Sequence, residues 1–316
     1  MTLEEIISNA VSEHATDVHI EHTRSGIKVY RRCYGILQKV SDLPLNSNII
    51  NRIKIRANLD LSETRRTQEG QFLFEERTRN TFVRVSVVAT IKGEKIAIRL
   101  LPEKSRLALT NIGIQAPLLT TLHSSLNKPS GLILVCGATG AGKSTTLYSC
   151  LDMLNNGHKT IFTIEDPVEY EIEGLFQCEP NQAIGLDSAT LLKSFLRQDP
   201  DIIMVGEVRD ALTANLAVNA ALTGHLVLAT LHTNSALDAM HRCHAWQVDF
   251  FSLVSSLKLI IHQTMRYQSS SQQPIFHGLK PLWKASLPRD YDTLIATPSL
   301  WQAFTHSDDE AHHALV

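Results

Sequence analysis

The sequence predicts an α/β protein of two domains, a small α+β domain followed by a larger domain built on a parallel sheet. Its length of 316 residues exceeds what one hydrophobic core usually fills, so two domains are expected. Residues 1–104 combine an amphipathic helix with alternating β patterns. From residue 131 onwards, apolar strands alternate with helical stretches, a rhythm typical of parallel strands joined by crossover helices.

The first domain, at residues 1–104, opens with a helix that carries Thr2 and Glu5 at the spacing of a capping box. DVHIE alternates as a half-buried strand, and GIKVYRRCYGILQKV predicts a hairpin that turns near Gly35. Apolar residues return at helical spacing in NSNIINRIKIRANLD. TFVRVSVVATIKGEKIAIRLL then predicts two strands joined at its Lys-Gly step.

Periodicity lapses at residues 105–112, which are expected to form a linker, and the second domain is predicted at 113–266. Its strands are GLILVC, TIFTIED, DIIMVGE and HLVLATLH. Beyond residue 266 the pattern decays into YQSSSQQP and a proline-containing stretch. Residues 267–316 are therefore expected to form a helical or irregular tail.

Composition excludes several classes of function. A net charge of −2 gives no electrostatic reason for tight nucleic-acid binding, and no direct nucleic-acid partner is expected. No apolar run approaches the ~18 residues of a membrane span, so no direct membrane insertion is expected. The cysteines are scattered without a C-x-x-C pair, which argues against a disulfide framework and a cysteine zinc site and fits a reducing cytoplasm. They are Cys33, Cys136, Cys150, Cys178 and Cys243.

A phosphate-binding loop is the most specific motif. GATGAGKS fits G-x-x-x-x-G-K-[ST] between an apolar strand and a helical stretch, a context that disfavours the alternative of a glycine-rich turn with a chance lysine. Glycines let backbone N–H groups surround phosphate oxygens, and the helix N-terminus adds positive potential. Lys143 is expected to reach the β- and γ-phosphates, and the Ser144 hydroxyl to bind Mg²⁺. The predicted nucleotide-binding residues are Gly137, Ala138, Thr139, Gly140, Ala141, Gly142, Lys143, Ser144 and Thr145.

Two further strands end in carboxylates that suit a magnesium-nucleotide site. Glu207 lies at the C-terminal end of DIIMVGE, where α/β sites form, and is expected to polarise the attacking water. Glu165 in TIEDPVE is the choice for Mg²⁺ or water positioning, although Asp-Pro often simply starts a turn. A solvated strand end remains the alternative for Glu207, and the following Arg209 and Asp210 could form a purely structural pair.

Several motifs together resemble the hexameric secretion ATPases, which power type II secretion, type IV pilus and competence-pseudopilus machines. They are TDVHIE, RANLDLSETRRTQEG, GATGAGKST, TIEDPVEY, LRQDPDIIMVGEVRD and TGHLVLATLHTNSA, and they extend from about Thr16 to Arg266. The resemblance implies a PAS-like first domain, a RecA-like P-loop ATPase domain, and ATP with Mg²⁺ between the two. It also implies a cytoplasmic homo-hexamer that reaches the inner face of the cytoplasmic membrane through a polytopic platform protein.

The resemblance places arginine fingers on strands that match FVRVS and AIRLL, which makes them Arg84 and Arg99. Arginines in otherwise apolar strands suggest a desolvated guanidinium, which needs a carboxylate or a phosphate. A carboxylate on a neighbouring strand is the alternative and is favoured without the resemblance. With the resemblance, the triphosphate becomes the expected partner, and a finger is commonly worth about 10³–10⁵ in rate.

Two histidines bracket the strand LVLATL. Seven residues of strand span roughly 23 Å, too far for His225 and His232 to share one ion unless the chain turns sharply. His232 follows the strand at the end where the phosphate site is expected, and it is predicted to sense the γ-phosphate. His225 begins the strand, and the resemblance, which implicates both, makes it a relay or subunit contact. Strand capping remains the alternative for both.

The sequence also departs from the family pattern. No extra domain is expected before Thr16, the tetracysteine zinc element of many larger assembly ATPases is missing, and no zinc is expected. The AIRNLI-like signature of pilus retraction ATPases is also missing. These features are most similar to the competence-pseudopilus ATPases of Gram-positive bacteria (ComGA-like). They predict assembly of a competence pseudopilus for DNA uptake, or of a type II secretion pseudopilus.

Three other functions stay open. A retraction motor shares the chemistry and reverses the direction of work. A RecA-like DNA translocase is disfavoured by the near-neutral charge and an aromatic content of 6%. A nucleotide-gated scaffold that barely hydrolyses ATP is compatible with the tail and with residues 66–70, where RTQEG lacks the proline of the family's R-x-P-Q-D-G motif.

Overall fold

The computed structural model describes residues 2–23, 26–33, 36–45, 48–76, 80–102, 107–268, 271–283 and 287–305. The chain divides into two compact units, Met1–Ser105 and Arg106–Val316. The predicted turn near Gly35 and residues 105–106 of the predicted linker lie outside the described residues. Leu109 and Ile112, also in the expected linker, are buried in the core of the second unit. The structure therefore assigns residues 107–112 to that unit.

The described part of the first unit is a six-stranded antiparallel sheet with two helices. The helices are α1 (Leu3–Ser12) and α2 (Asn48–Arg56), and the strands are β1 (Ala15–Thr23), β2 (Gly26–Cys33), β3 (Ile36–Leu45), β4 (Gln68–Glu75), β5 (Asn80–Thr90) and β6 (Gly93–Pro102). The strand order is β3-β2-β1-β6-β5-β4, with antiparallel pairing throughout. The sequence predicted both helices and most of these strands, but β4 was not anticipated.

Local sequence explains these elements. The Thr2 hydroxyl accepts the N–H of Glu5 and the Glu5 carboxylate accepts the N–H of Thr2, so the predicted capping box is confirmed. In β5, alternate residues such as Val83 and Val85 are fully buried and share one core with apolar residues of α1 and α2. The residues between them, including Arg84, lie on the other face of the sheet.

The second unit contains an eight-stranded sheet. Its helices are α3 (Ala116–Leu126), α4 (Lys143–Leu154), α5 (Ser188–Phe195), α6 (Ala211–Leu222), α7 (Asp238–Ala245), α8 (Phe250–Ser256) and α9 (Tyr291–Ala296). Its strands are β7 (Gly131–Cys136), β8 (Ile161–Ile164), β9 (Leu175–Cys178), β10 (Ile202–Val205), β11 (Leu226–Leu231), β12 (Leu257–Gln268), β13 (Ser271–Pro281) and β14 (Trp301–Phe304). Short 3-10 helices cover Leu109–Asn111, Gln182–Ile184 and Pro298–Leu300.

The sheet order is β14-β13-β12-β7-β11-β10-β8-β9. All pairs from β12 to β9 are parallel, and β13 and β14 add antiparallel strands at one side. Alternate residues of β7 point into two separate cores, with Leu132 in one and Ile133 in the other. Strands β7, β10 and β11 are buried along their whole length, as expected for central parallel strands covered on both faces. The predicted parallel α/β domain is therefore confirmed.

The expectation of a helical or irregular tail at 267–316 is wrong for much of the described part. Strands β13 and β14 extend the main sheet there, and α9 lies between them. Phe276, Leu279 and Trp301 are almost fully buried, which ties this stretch to the core of the unit. The polar and proline-rich sequence hides the pattern, because few of its apolar residues alternate regularly. Residues 306–316 lie outside the described part.

Among the described residues, no helix is long and apolar enough to cross a membrane.

Candidate nucleotide site

The glycine-rich loop joins β7 to α4, as the sequence predicts. Gly137 and Gly142 have φ angles of 147° and 88°, which side-chain-bearing residues rarely adopt. A Cβ on Gly137 would lie 2.2 Å from the backbone oxygen of Gln263, and one on Gly142 would lie 2.8 Å from its side-chain nitrogen. The loop therefore rests directly on Gln263 of β12, a buried residue that sequence reasoning did not select. Thr146 of α4 donates to Gln263 Oε1 at 2.7 Å and strengthens this support.

Lys143 points back into its own loop. Its Nζ donates to the carbonyl oxygens of Gly137 and Ala138, at 2.9 Å each, and the residue is 8% exposed. Burial lowers the pKa of Lys143, while the negative charge of Glu207 opposes that shift. The ammonium group is thus held inside the glycine-rich loop, and Glu207 is close enough to act on it electrostatically.

The start of α4 adds anion-binding groups to the loop. Gly142 is the N-cap and Lys143 the first helical residue, so the N–H groups of this first turn have no acceptor within the helix. Together with the helix dipole they favour a negatively charged ligand. The Ser144 side chain is exposed in this turn and the loop residues 138–140 are exposed as well. These features fit phosphate oxygens and an oxygen-liganded cation such as Mg²⁺.

Glu207 lies just beyond β10, where main-chain hydrogen bonds fix it on both sides. The N–H of Gly206 donates to the carbonyl oxygen of Ile164 at 2.8 Å, and that of Val208 to Thr230 at 3.0 Å. A Cβ at Gly206 would lie only 2.8 Å from the same Ile164 oxygen, so glycine allows the ends of β8 and β10 to close together. The strand ends thus hold Glu207 between β8 and β11.

A chain of side chains crosses the ends of β8, β10 and β11. Arg209 donates from one terminal guanidinium nitrogen to Asp166 Oδ2 at 2.9 Å, and its other one lies 2.8 Å from Glu207 Oε2. Glu207 Oε1 lies 3.2 Å from Nε2 of His232. Hydrogen bonding to Glu207 is the main reason that the pKa of Arg209 is raised. Sequence reasoning left Arg209 as a structural residue, and the structure makes it the bridge between two carboxylates.

The two histidines lie at opposite ends of β11. Burial lowers the pKa of His232, and the charge of Lys143 lowers it further, so the ring stays neutral more readily than a free histidine. His225 Nδ1 instead donates to the carbonyl oxygen of Ala220 at 2.8 Å, across the short loop from α6 to β11. Of the predicted pair, the structure brings only His232 into contact with another predicted site residue.

Glu165 is buried beyond the end of β8, with 5% of its surface exposed. Tyr148 donates to its Oε2, while Thr163 at 2.5 Å and Gln177 at 3.1 Å donate to its Oε1. Burial raises the pKa of Glu165, and these hydrogen bonds oppose the shift. A role for Glu165 in Mg²⁺ or water positioning stays a prediction, since three donors already engage its carboxylate.

A cleft of about 260 Å³ opens beside these carboxylates. Glu165, Asp166, Glu207 and Arg209 line one part of it, and the starts of α5 and α6 line another part. The cleft leaves room for solvent next to both predicted catalytic carboxylates.

The predicted arginine fingers lie in the first unit. Arg84 and Arg99 face each other in register on β5 and β6. Arg84 lies 3.0 Å from Glu69 Oε2, and the Nε of Arg99 donates to Asp17 Oδ1 at 3.0 Å. Their side chains are 44% and 65% exposed, so the expectation of desolvated guanidinium groups is wrong. The alternating strand places them on an open face, and each has the neighbouring-strand carboxylate that the alternative anticipated.

Comparison with known proteins decides the family. A family model described as Type II/IV secretion system protein matches residues 1–287. The chain belongs to this family. It is 41% identical over 263 residues to the type II secretion system protein E of Klebsiella pneumoniae, covering 82% of this chain and 53% of that protein. It is 42% identical over 264 residues to the type IV pilus assembly ATPase PilB of Myxococcus xanthus, covering 82% and 47%.

A solved structure of the pilus retraction motor PilT with bound ADP is also similar to this chain. It has a TM-score of 0.70 and 28% identity, and the match covers 90% of this chain and 84% of that one. The parallel-sheet unit therefore has the RecA-like fold of the secretion ATPases, as the sequence predicted. The chain spans about half the length of the curated relatives that it matches.

Proposed function

We propose that this chain is a magnesium-dependent ATPase motor of the assembly type. The observation that carries the proposal is the convergence of the glycine-rich loop, Glu207 and His232 at the C-terminal ends of the adjacent strands β7, β10 and β11. Ligands of open α/β sheets bind at this edge. The family relationship, with a pilus assembly ATPase at 42% identity, supports the same reaction.

In this proposal the loop amides and Lys143 bind the β- and γ-phosphates. Lys143 releases the carbonyl oxygens of Gly137 and Ala138 and donates to phosphate oxygens instead, a short movement within one loop. Glu207 orients the attacking water and accepts its proton, while Arg209 fixes the carboxylate in place. His232, beside Glu207, contacts the γ-phosphate and reports its presence.

Oxygen ligands suitable for Mg²⁺ are available from Ser144 directly and from Glu207, directly or through water. When bound, the ion neutralises charge on the phosphate oxygens. Glu165 is proposed as a second carboxylate that positions water. Burial raises its pKa, which makes the carboxylate a better proton acceptor beside that water.

Arg84 and Arg99 are proposed to neutralise charge on the γ-phosphate. Both are exposed, they face each other on adjacent strands, and each contacts a carboxylate that an incoming triphosphate could replace. His225 is proposed as a relay or subunit contact. The PAS-like nature of the first unit belongs to the same proposal.

The proposed setting is a homo-hexamer in the cytoplasm that acts on a polytopic membrane platform protein. Hydrolysis there drives assembly of a competence pseudopilus or a type II secretion pseudopilus. Relatives named as type II secretion and pilus assembly proteins support this setting. Retraction is the second candidate, because the PilT structure is similar over 90% of the chain. Co-purification of a polytopic membrane protein from the native cell tests the partner.

The chemistry is tested with the purified full chain, Mg²⁺ and ATP. We expect the wild type to hydrolyse ATP. Lys143→Ala should lose both nucleotide binding and turnover, because the phosphates lose the Lys143 ammonium group. Lys193→Ala, which removes an exposed lysine of α5, is the matched control and should behave as wild type. Tight ATP binding without turnover would favour a scaffold, and strong stimulation by DNA at physiological salt would favour a translocase.

A further inference from the structure

Helix α4 carries a second contact to the site besides its phosphate-binding first turn. Tyr148 lies four residues after Ser144, so the two side chains share one face of the helix, one turn apart. The Tyr148 ring is buried at 3% exposure and packs against Tyr170, with 4.6 Å between the ring centroids. Its hydroxyl donates to Glu165 Oε2 and accepts the N–H of Glu169 at 3.3 Å. One hydroxyl thus joins the phosphate-binding helix to the segment after β8.

We infer that Tyr148 is a positioning residue that sets the orientation of the Glu165 carboxylate from the phosphate-binding helix. The inference rests on the proposed role of Glu165 in water positioning. Of the donors to Glu165 in the described structure, Thr163 and Gln177 lie on β8 and β9, and Tyr148 lies on α4. A displacement of α4 on phosphate binding therefore reaches Glu165 through Tyr148.

A purely structural role for Tyr148 predicts something different. A buried aromatic ring on α4 needs no hydroxyl to fill space, and phenylalanine would pack equally well. The hydroxyl is needed because Glu165 is also buried, and a carboxylate that loses a donor there is free to turn towards its other partners. The distinction therefore lies in the hydroxyl and not in the ring.

The test compares Tyr148→Phe with Tyr291→Phe in the full chain, with Mg-ATP. Tyr291 is the matched control, because its buried hydroxyl donates to the carbonyl oxygen of Val248 at 3.0 Å, in the core and outside the site. We expect Tyr148→Phe to lower kcat about tenfold with KM within about twofold of wild type, as loss of one hydrogen bond to a charged group predicts. Tyr291→Phe should keep both constants within about twofold.

A double-mutant cycle with Glu165→Gln completes the design. If Tyr148 acts through Glu165, adding Tyr148→Phe to Glu165→Gln should change kcat by less than about twofold. Fully additive effects, an unchanged kcat in Tyr148→Phe, or equal losses in Tyr148→Phe and Tyr291→Phe overturn the inference. If Glu165→Gln keeps the wild-type kcat, Glu165 does not position water and the inference about Tyr148 fails. The ATPase assignment stays intact in that case. A wild-type chain without turnover instead defeats the proposed function itself.

Discussion

The two ends of the parallel sheet carry the same kinds of polar residue in different surroundings. At the N-terminal edge, Asp201 Oδ2 accepts the N–H of Thr160 at 2.7 Å, and His225 donates to the carbonyl oxygen of Ala220 at 2.8 Å. At the C-terminal edge, Glu207 and His232 lie 3.2 Å from each other. A carboxylate and a histidine thus bind nearby main chain at one edge, and a carboxylate and a histidine contact each other at the opposite edge.

This difference follows from strand direction. Parallel strands all end at one edge, and the loops that leave it lead to helix N-termini with unpaired N–H groups. The glycine-rich loop after β7 and the residues after β10 and β11 therefore share one small region, where the helix start favours anions. At the other edge, helices end and strands begin, so polar side chains mainly complete local main-chain hydrogen bonding. The position of a residue along its strand thus says more about its function than its type.

The largest expected effect separates the carboxylates at the two ends of β10. Glu207→Gln should lower turnover about 10²- to 10⁴-fold while ATP still binds, because the amide cannot accept the proton of the attacking water. Asp201→Asn keeps the oxygen that accepts the Thr160 N–H and should leave turnover within about twofold of wild type. Steady-state hydrolysis and equilibrium binding of ATP by both purified variants measure this contrast. Undiminished activity in Glu207→Gln contradicts the assignment.

A smaller effect is expected for the two histidines of β11. His232→Ala should weaken nucleotide affinity and lower turnover about 10- to 100-fold, because a polar group beside Glu207 and close to Lys143 is lost. His225→Ala should leave nucleotide affinity within about twofold and cost about 1 kcal/mol of stability, the usual worth of one hydrogen bond. Titration of each variant with nucleotide, alongside urea unfolding, checks both statements. Equal losses of nucleotide affinity in His232→Ala and His225→Ala would mean that position along β11 does not determine which histidine contacts the nucleotide.

Sequence alone was sufficient to select the parts of the candidate site that are contiguous in the chain. The glycine-rich loop, its lysine and its serine form one segment, and an apolar strand followed by a helical stretch fixes their geometry. Glu207 and His232 were found because each follows an apolar strand. The alternation of β5 also predicted which residues share a face, but it could not say which face the helices cover. For this reason Arg84 was expected to be buried and is exposed.

Contacts that depend on register between distant segments were not predictable in this way. Tyr148 and Glu165 are 17 positions apart, and Thr146 and Gln263 are 117 positions apart. Their meeting depends on how α4 packs against the sheet and on how far β12 runs beyond β7. Arg209 similarly bridges to Asp166 across 43 positions. A single sequence contains no signal for such pairs, because neither partner departs from an ordinary local pattern.

The smallest effect on activity is expected from a third histidine, which sharpens the comparison. His262 pairs in register with Cys136 at the C-terminal end of β7, but it is buried at 8% exposure and lies opposite His277 on β13. Burial, followed by the charge of His277, lowers its pKa to about 4, while Asp238 opposes the shift. The His262 ring in the folded chain therefore binds a proton less readily than in the unfolded chain, where its pKa is near 6.5. Stability linked to His262 is complete above pH 6.5 and falls as the pH drops towards 4.

Between pH 7.5 and pH 5 this single group should cost about 2 kcal/mol of unfolding free energy. His262→Gln removes the titration, so its stability should decrease less than that of the wild type over the same interval. Urea unfolding of both chains at the two pH values measures the difference, and turnover at pH 7.5 should agree within about twofold. An equal pH dependence in both chains would show that His262 is not the titrating group. A large loss of turnover in His262→Gln would instead show that a buried side chain at the C-terminal edge also contributes to activity. Function at that edge would then extend beyond the side chains that contact Glu207.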